Sequence, residues 1–169
     1  SNLAYKQGDF ERGQFLFDSL VKHQLIGSKF NNYTLKRVSD RKLKMSKVKK
    51  PIFLITYASW CVPSKGEFLA LNKLAKEYQN EVEFIVIVWG KKKEVKKYSN
   101  KLTSHIEVCY AHKSFKSGNE LVENLRETLG FPTCYLIDSY LQVVDIKRGN
   151  VNIPLQTPTK KALELNYNT

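Results

Sequence analysis

Cys61 is the residue in this sequence best placed to do chemistry. It lies in Trp60-Cys61-Val62-Pro63-Ser64, after the apolar run Pro51 to Ala58 and before a helical pattern. That spacing predicts a thiol held where a strand ends and a helix begins. A helix start presents unpaired amide N–H groups and roughly half a positive charge, both of which favour thiolate over thiol. The expectation is a Cys61 pKa below the free-cysteine value of about 8.5. Thiolate is the nucleophile of thiol–disulfide exchange, so Cys61 is expected to attack or accept a disulfide. Pro63 falls inside the expected first turn, where its missing N–H costs little. Trp60 can shield the sulfur and offer a flat apolar contact to a partner.

Two other cysteines are present, Cys109 and Cys134. An odd, small number argues against a disulfide-stapled scaffold. Cys109 ends a short predicted strand, Ile106 to Tyr110, and reads as structural. Cys134 lies two residues beyond Pro132 on a predicted strand, with strand alternation placing it opposite Thr133. It reads first as a small buried hydrophobe. Its functional reading is a thiol that resolves a bond made at Cys61. His23, His105 and His112 are scattered, and no two cysteines have zinc-ligand spacing, so neither a metal nor another cofactor is expected. His105 and His112 flank the short strand and read as surface residues.

The elements that must position Cys61 follow from periodicity. Asp9 to Gln24 reads as a helix capped by Asp9, with Phe10, Phe17, Leu20, Val21 and then Leu25 on one face and Gly27 ending it. Tyr33 to Met45 reads as two short strands around Ser39-Asp40-Arg41. Pro51 to Ala58 and Val82 to Trp89 are continuous apolar runs, which suit central strands covered on both faces. Between them Phe68, Leu71, Leu74, Ala75 and Tyr78 mark a helix. Lys91 to Lys101 reads as a helix with Val95 and Leu102 inward. Asn119 to Leu129 reads as another, closed by Gly130. Thr133 to Asp138 and Leu141 to Ile146 form an antiparallel hairpin. Thr157 and Pro158 open a last helix as cap and first helical residue. The fold class is α/β: a central mixed sheet flanked by helices. One domain is expected, with 1–25 a helical extension, 26–149 the core and 150–169 a C-terminal helix.

The chain has 169 residues and a formal net charge of +12. Its basic residues are mostly Lys, with Arg only at 12, 37, 41, 126 and 148. Phosphate and base readers favour Arg forks, so the charge reads as a solvated surface rather than a nucleic-acid site. The run Lys91-Lys92-Lys93-Glu94-Val95-Lys96-Lys97 reads the same way. No apolar stretch approaches the roughly 18 residues of a membrane span. The start at Ser1-Asn2, without Met or an apolar leader, suggests that a leader which can tether the protein to a membrane has been removed.

The residues Ala58-Ser59-Trp60-Cys61-Val62-Pro63-Ser64-Lys65-Gly66-Glu67-Phe68 resemble the active-site region of thioredoxin-like proteins of the TlpA/ResA type. Gly130-Phe131-Pro132-Thr133 resembles the cis-proline loop that faces the active cysteine in that thioredoxin fold. The lead-in from Ile26 to Lys50 resembles the family's N-terminal hairpin. The resemblance implies that Cys61 is the attacking thiol, and that Pro132 is cis and presents neighbouring backbone to a substrate strand. It implies that Trp60, Val62, Pro63, Phe131 and Thr133 contact that substrate, and that Glu67 influences sulfur ionisation. Glu67 also fits an exposed glutamate in a first helical turn. Protein thiols or disulfides would be the partners, in an extracytoplasmic bacterial setting.

Two positions depart from the family. Ser64 stands where the resolving cysteine is expected, so no internal disulfide with Cys61 can form; its hydroxyl can hydrogen-bond the Cys61 thiolate instead. Ile55 stands where a buried Asp or Asn is common. Two readings follow. One is a monothiol exchange protein working through mixed disulfides at Cys61. The other is a redox-inactive module that grips an extended peptide at the cis-proline groove.

Overall fold

The computed structural model describes residues 2–111, 129–149 and 153–168. Helices α1 (Asn2–Lys6) and α2 (Phe10–Leu20) open the chain, and one π-helical turn, Val21–Leu25, extends α2. Strands β1 (Thr34–Arg37) and β2 (Lys42–Lys44) form a hairpin. Then come β3 (Ile52–Ala58), α3 (Glu67–Glu77), β4 (Glu83–Trp89), α4 (Lys92–Ser99) and β5 (Ile106–Ala111). Strands β6 (Thr133–Ile137) and β7 (Val143–Arg148) and helix α5 (Thr159–Tyr167) complete the described elements.

The seven strands make one sheet in the order β2-β1-β5-β4-β3-β6-β7. β3, β4 and β5 are mutually parallel, while β6 is antiparallel to β3, β7 to β6, and β1 to β5. The central strands are apolar without alternation because both faces are covered. Leu54 and Ile85 face a core that includes Phe17, Met45 and Tyr135. Ile55, Tyr57, Val86 and Val88 face one that includes Leu71, Ala75, Val95 and Tyr98.

Asp9 caps α2 as expected, its carboxylate accepting the Arg12 N–H at 3.1 Å. The face of α2 differs from expectation. Phe10 is 67% exposed, and Gly13, Phe17 and Val21 carry the packing. Gly13 lets α1 approach closely: a Cβ there would lie 2.8 Å from the Tyr5 ring, which would have to shift. The last helix starts one residue later than expected: Pro158 is its cap and Thr157 makes no capping bond. The helix expected over Asn119–Leu129 lies, except for Leu129, outside the described residues, as does His112. Gly130 follows with φ +82°.

The largest correction concerns the stretch after β3. Helix α3 begins at Glu67, so Cys61 is not at a helix N-terminus and Pro63 is not in a first turn. Two local effects delay the helix. A residue preceding proline is disfavoured in the α region, which keeps Val62 out of it. Gly66 takes φ +82° at the cap, a left-handed conformation that glycine reaches without steric cost.

Candidate functional site

The pairing of β3 with β6 brings the two candidate loops to one end of the sheet. Thr56 pairs with Thr133, and Thr56 Oγ1 donates to the Thr133 carbonyl at 3.2 Å. Just beyond this pair lie the loop bearing Cys61 and the Phe131–Pro132 peptide, whose bond is cis. Thr133 Oγ1 donates back to the Gly130 carbonyl at 3.0 Å, and Gly149 N–H donates to the Pro132 carbonyl at 3.0 Å. The amide and carbonyl of Phe131 make no hydrogen bond among the described residues.

Cys61 closes a tight turn on the end of β3. Its N–H donates to the Ala58 carbonyl at 2.9 Å, and its Sγ accepts the Ala58 N–H at 3.3 Å. The thiol is half-buried. Burial pushes its pKa up, the Ala58 N–H opposes that, and the nearby Glu67 charge adds to the rise. The expected lowering therefore does not occur, because the helix dipole that would supply it starts six residues too late and the sulfur is partly desolvated. Tyr98 of α4 steadies the turn. Its hydroxyl lies 2.7 Å from the Cys61 carbonyl oxygen and 3.1 Å from that of Ala58, as donor to both. The rings of Tyr57, Phe68 and Tyr98 meet pairwise at 5.8–5.9 Å between centroids and form the floor beneath this loop.

Glu67 lies in the first turn as expected but is half-buried rather than exposed. It is the first residue of α3, yet its side chain turns inward. Tyr57 donates its hydroxyl proton to Glu67 Oε1, and Ser64 N–H donates to Oε2 at 2.6 Å. Tyr57 is fully buried, and its pKa is driven upward by that burial and then by the Glu67 charge. Tyr57 therefore stays protonated and remains a donor to the carboxylate.

Ser64 does not bond Cys61. Its Oγ donates to Asn166 Oδ1 of α5 at 2.8 Å. Trp60 and Val62 are 74% and 84% exposed, so Trp60 stands out as a contact surface rather than as a cover for the sulfur. Pro63 is half-buried, Phe131 packs on the core edge and Thr133 is buried.

Cys134 lies opposite Thr133 on β6, beside Ile55 in the register, and its thiol is pushed up to about 12 by burial and then by Glu67. With Ile55, Glu67, Leu71 and Asn166 it lines a cavity of about 330 Å³ between the sheet, α3 and α5. Cys109 is fully buried and is likewise pushed to about 12, chiefly by burial. His23 and His105 are exposed. No group of three His, Cys, Asp or Glu among the described residues is arranged to hold a metal.

Sequence reasoning missed Tyr57, Tyr98 and Asn166. Tyr98 was signalled, since it lies three residues after Val95 and shares the inward face of α4.

A mixed sheet of this order, with a cysteine loop after the central strand, is a thioredoxin fold. The chain belongs to the AhpC/TSA family, whose sequence profile matches residues 26–146. This places it among thioredoxin-like proteins. It is 25% identical over 139 residues to thioredoxin-like protein YneN of Bacillus subtilis, an alignment spanning 82% of this chain and 76% of YneN. Among solved structures it resembles the protein named thiol:disulfide interchange protein DsbE of Chlorobium tepidum, with TM-score 0.61 and 22% identity over 83% of this chain and 94% of that one. It also resembles the exposed lipoprotein thioredoxin Etrx1 of Streptococcus pneumoniae, with TM-score 0.55 and 19% identity over 83% and 98% of the two chains.

Proposed function

We propose that this protein is a monothiol thiol–disulfide exchange protein that works through mixed disulfides at Cys61. The carrying observation is that Cys61, alone of the three cysteines, sits on a surface loop, between exposed Trp60 and Val62 and at the same end of the sheet as Phe131–Pro132. An extended substrate strand would pair with the backbone groups of Phe131 and lie along Trp60 and Val62. The Cys61 thiolate attacks one sulfur of the substrate disulfide, forming a new S–S bond and releasing the other sulfur as thiolate. A second thiol from outside the loop then attacks that bond, because the Ser64 hydroxyl can neither form a disulfide nor ionise at ordinary pH. A thiol of raised pKa is a poor leaving group, which favours persistence of the Cys61 adduct.

Protein thiols or disulfides are the substrates in this reading, and the setting is extracytoplasmic, in keeping with the pneumococcal protein of this fold being an exposed lipoprotein. No helix among the described residues is long and apolar enough to cross a membrane. We also propose that residues 1–169 form one domain with its site between Cys61, Glu67 and Pro132.

The half-burial of Cys61 favours one alternative, a peptide-gripping module without exchange. A short peptide carrying a mixed aromatic disulfide separates the two readings. Exchange predicts release of the aromatic thiol and a covalent peptide adduct, located at Cys61 by mass spectrometry, that persists until free thiol is added. Reversible peptide binding without an adduct would overturn exchange in favour of the gripping module.

A further inference from the structure

We propose that Asn166, on the C-terminal helix α5, is a positioning residue for the Cys61 site, acting through Ser64 and the loop that sets Glu67. The inference deepens the exchange reading and takes its biological meaning from it. Its geometry is independent of that reading. Asn166 Oδ1 accepts the Ser64 hydroxyl at 2.8 Å, while Asn166 Nδ2 donates to the Lys65 carbonyl at 2.8 Å and to the Ala162 carbonyl at 2.7 Å. One amide therefore ties two consecutive residues of the loop to the helix, with every polar atom used. Two neighbouring contacts reinforce the tie. Lys65 Nζ donates to the Leu155 carbonyl at 2.9 Å, and Gly66 lies so close to α5 that a Cβ would be 2.8 Å from backbone atoms of Ala162 and Leu163.

A hydroxyl at position 64 suits this latch better than a thiol does, because S–H is a weak donor. The residue that removes a second thiol from the motif thus supplies the loop with its anchor. The consequence reaches Cys61 through Glu67. The anchored loop directs the Ser64 N–H at Glu67 Oε2, and Tyr57 holds the other oxygen. The carboxylate is thereby kept where its charge opposes the Cys61 thiolate. Among the described residues, Tyr98, from α4, is the other titratable side chain against Cys61. With the latch released, the carboxylate can turn toward water, where its field at the sulfur is screened.

The test is the rate of Cys61 alkylation by iodoacetamide against pH, read by mass spectrometry on the full chain. Asn166→Ala is expected to move the midpoint to lower pH, and Ser64→Ala to move it the same way. In a Glu67→Gln background, Asn166→Ala should move it no further. A wild-type profile in Asn166→Ala, or an undiminished shift without the Glu67 charge, would overturn the proposal. Should Asn166→Ala fail to fold, Ser64→Ala carries the comparison, and an unchanged profile there overturns it equally. Iodoacetamide needs no disulfide partner, so these outcomes bear on the latch alone, whereas absence of the peptide adduct bears on the exchange reading alone.

Discussion

Ser64→Cys is expected to convert a persistent peptide adduct at Cys61 into a transient one, shortening its lifetime by more than about a hundredfold. An intramolecular thiol acts at an effective concentration far above any added thiol, provided it can approach its target. Its sulfur would attack the Cys61–peptide disulfide, expel the peptide thiol and leave an internal disulfide. In the wild type the side chain at this position is turned to Asn166 and the Cys61 sulfur to the Ala58 N–H. A thiol donates only weakly to an amide oxygen, so the substitution also loosens the tie that holds position 64 away. Release of peptide without added thiol, followed over time, measures the effect. An adduct as long-lived as that of the wild type would mean that position 64 does not reach the sulfur.

Gly66→Ala has the largest expected effect on stability. Two costs fall on the same atom. A non-glycine residue held at φ +82° costs about 1–3 kcal/mol. The added methyl would also meet Ala162 C and Leu163 N at 2.8 Å, backbone atoms that cannot rotate away, and overpacking of that kind costs a further 1–3 kcal/mol, roughly. Either α5 shifts off α3 or the loop after Cys61 rebuilds. Urea unfolding of the two proteins checks this, and a change below about 1 kcal/mol would show that the contact between the loop and α5 is not held tightly in solution.

Much of the site was legible in the sequence. Cys61, Glu67 and Pro132 were marked by local motifs, and the continuous apolar runs fixed β3 and β4 as central. What sequence could not provide was set by contacts distant along the chain. The bond from Ser64 to Asn166 joins residues 102 positions apart, and nothing in the pattern of α5 marks Asn166. The sign of the Cys61 pKa shift was misread for a related reason. The motif suggested a helix start, but the left-handed Gly66 delays the helix to Glu67, and desolvation by the packed aromatics then outweighs the single N–H left to the sulfur. Helical spacing alone places Phe10 inward, whereas Phe17 and Val21 are the residues of this stretch that enter the core.

Exchange at Cys61 requires it to be the most reactive thiol of this chain, although Cys134 is also only half-buried. Site-resolved alkylation of the native protein at mildly alkaline pH, with each cysteine followed by mass spectrometry, tests this most directly. Cys109 and Cys134 are both pushed to about 12. Each pKa unit lowers the thiolate fraction about tenfold, so Cys61 should be labelled faster than either. Labelling of Cys134 or Cys109 at the rate of Cys61 or above would contradict it.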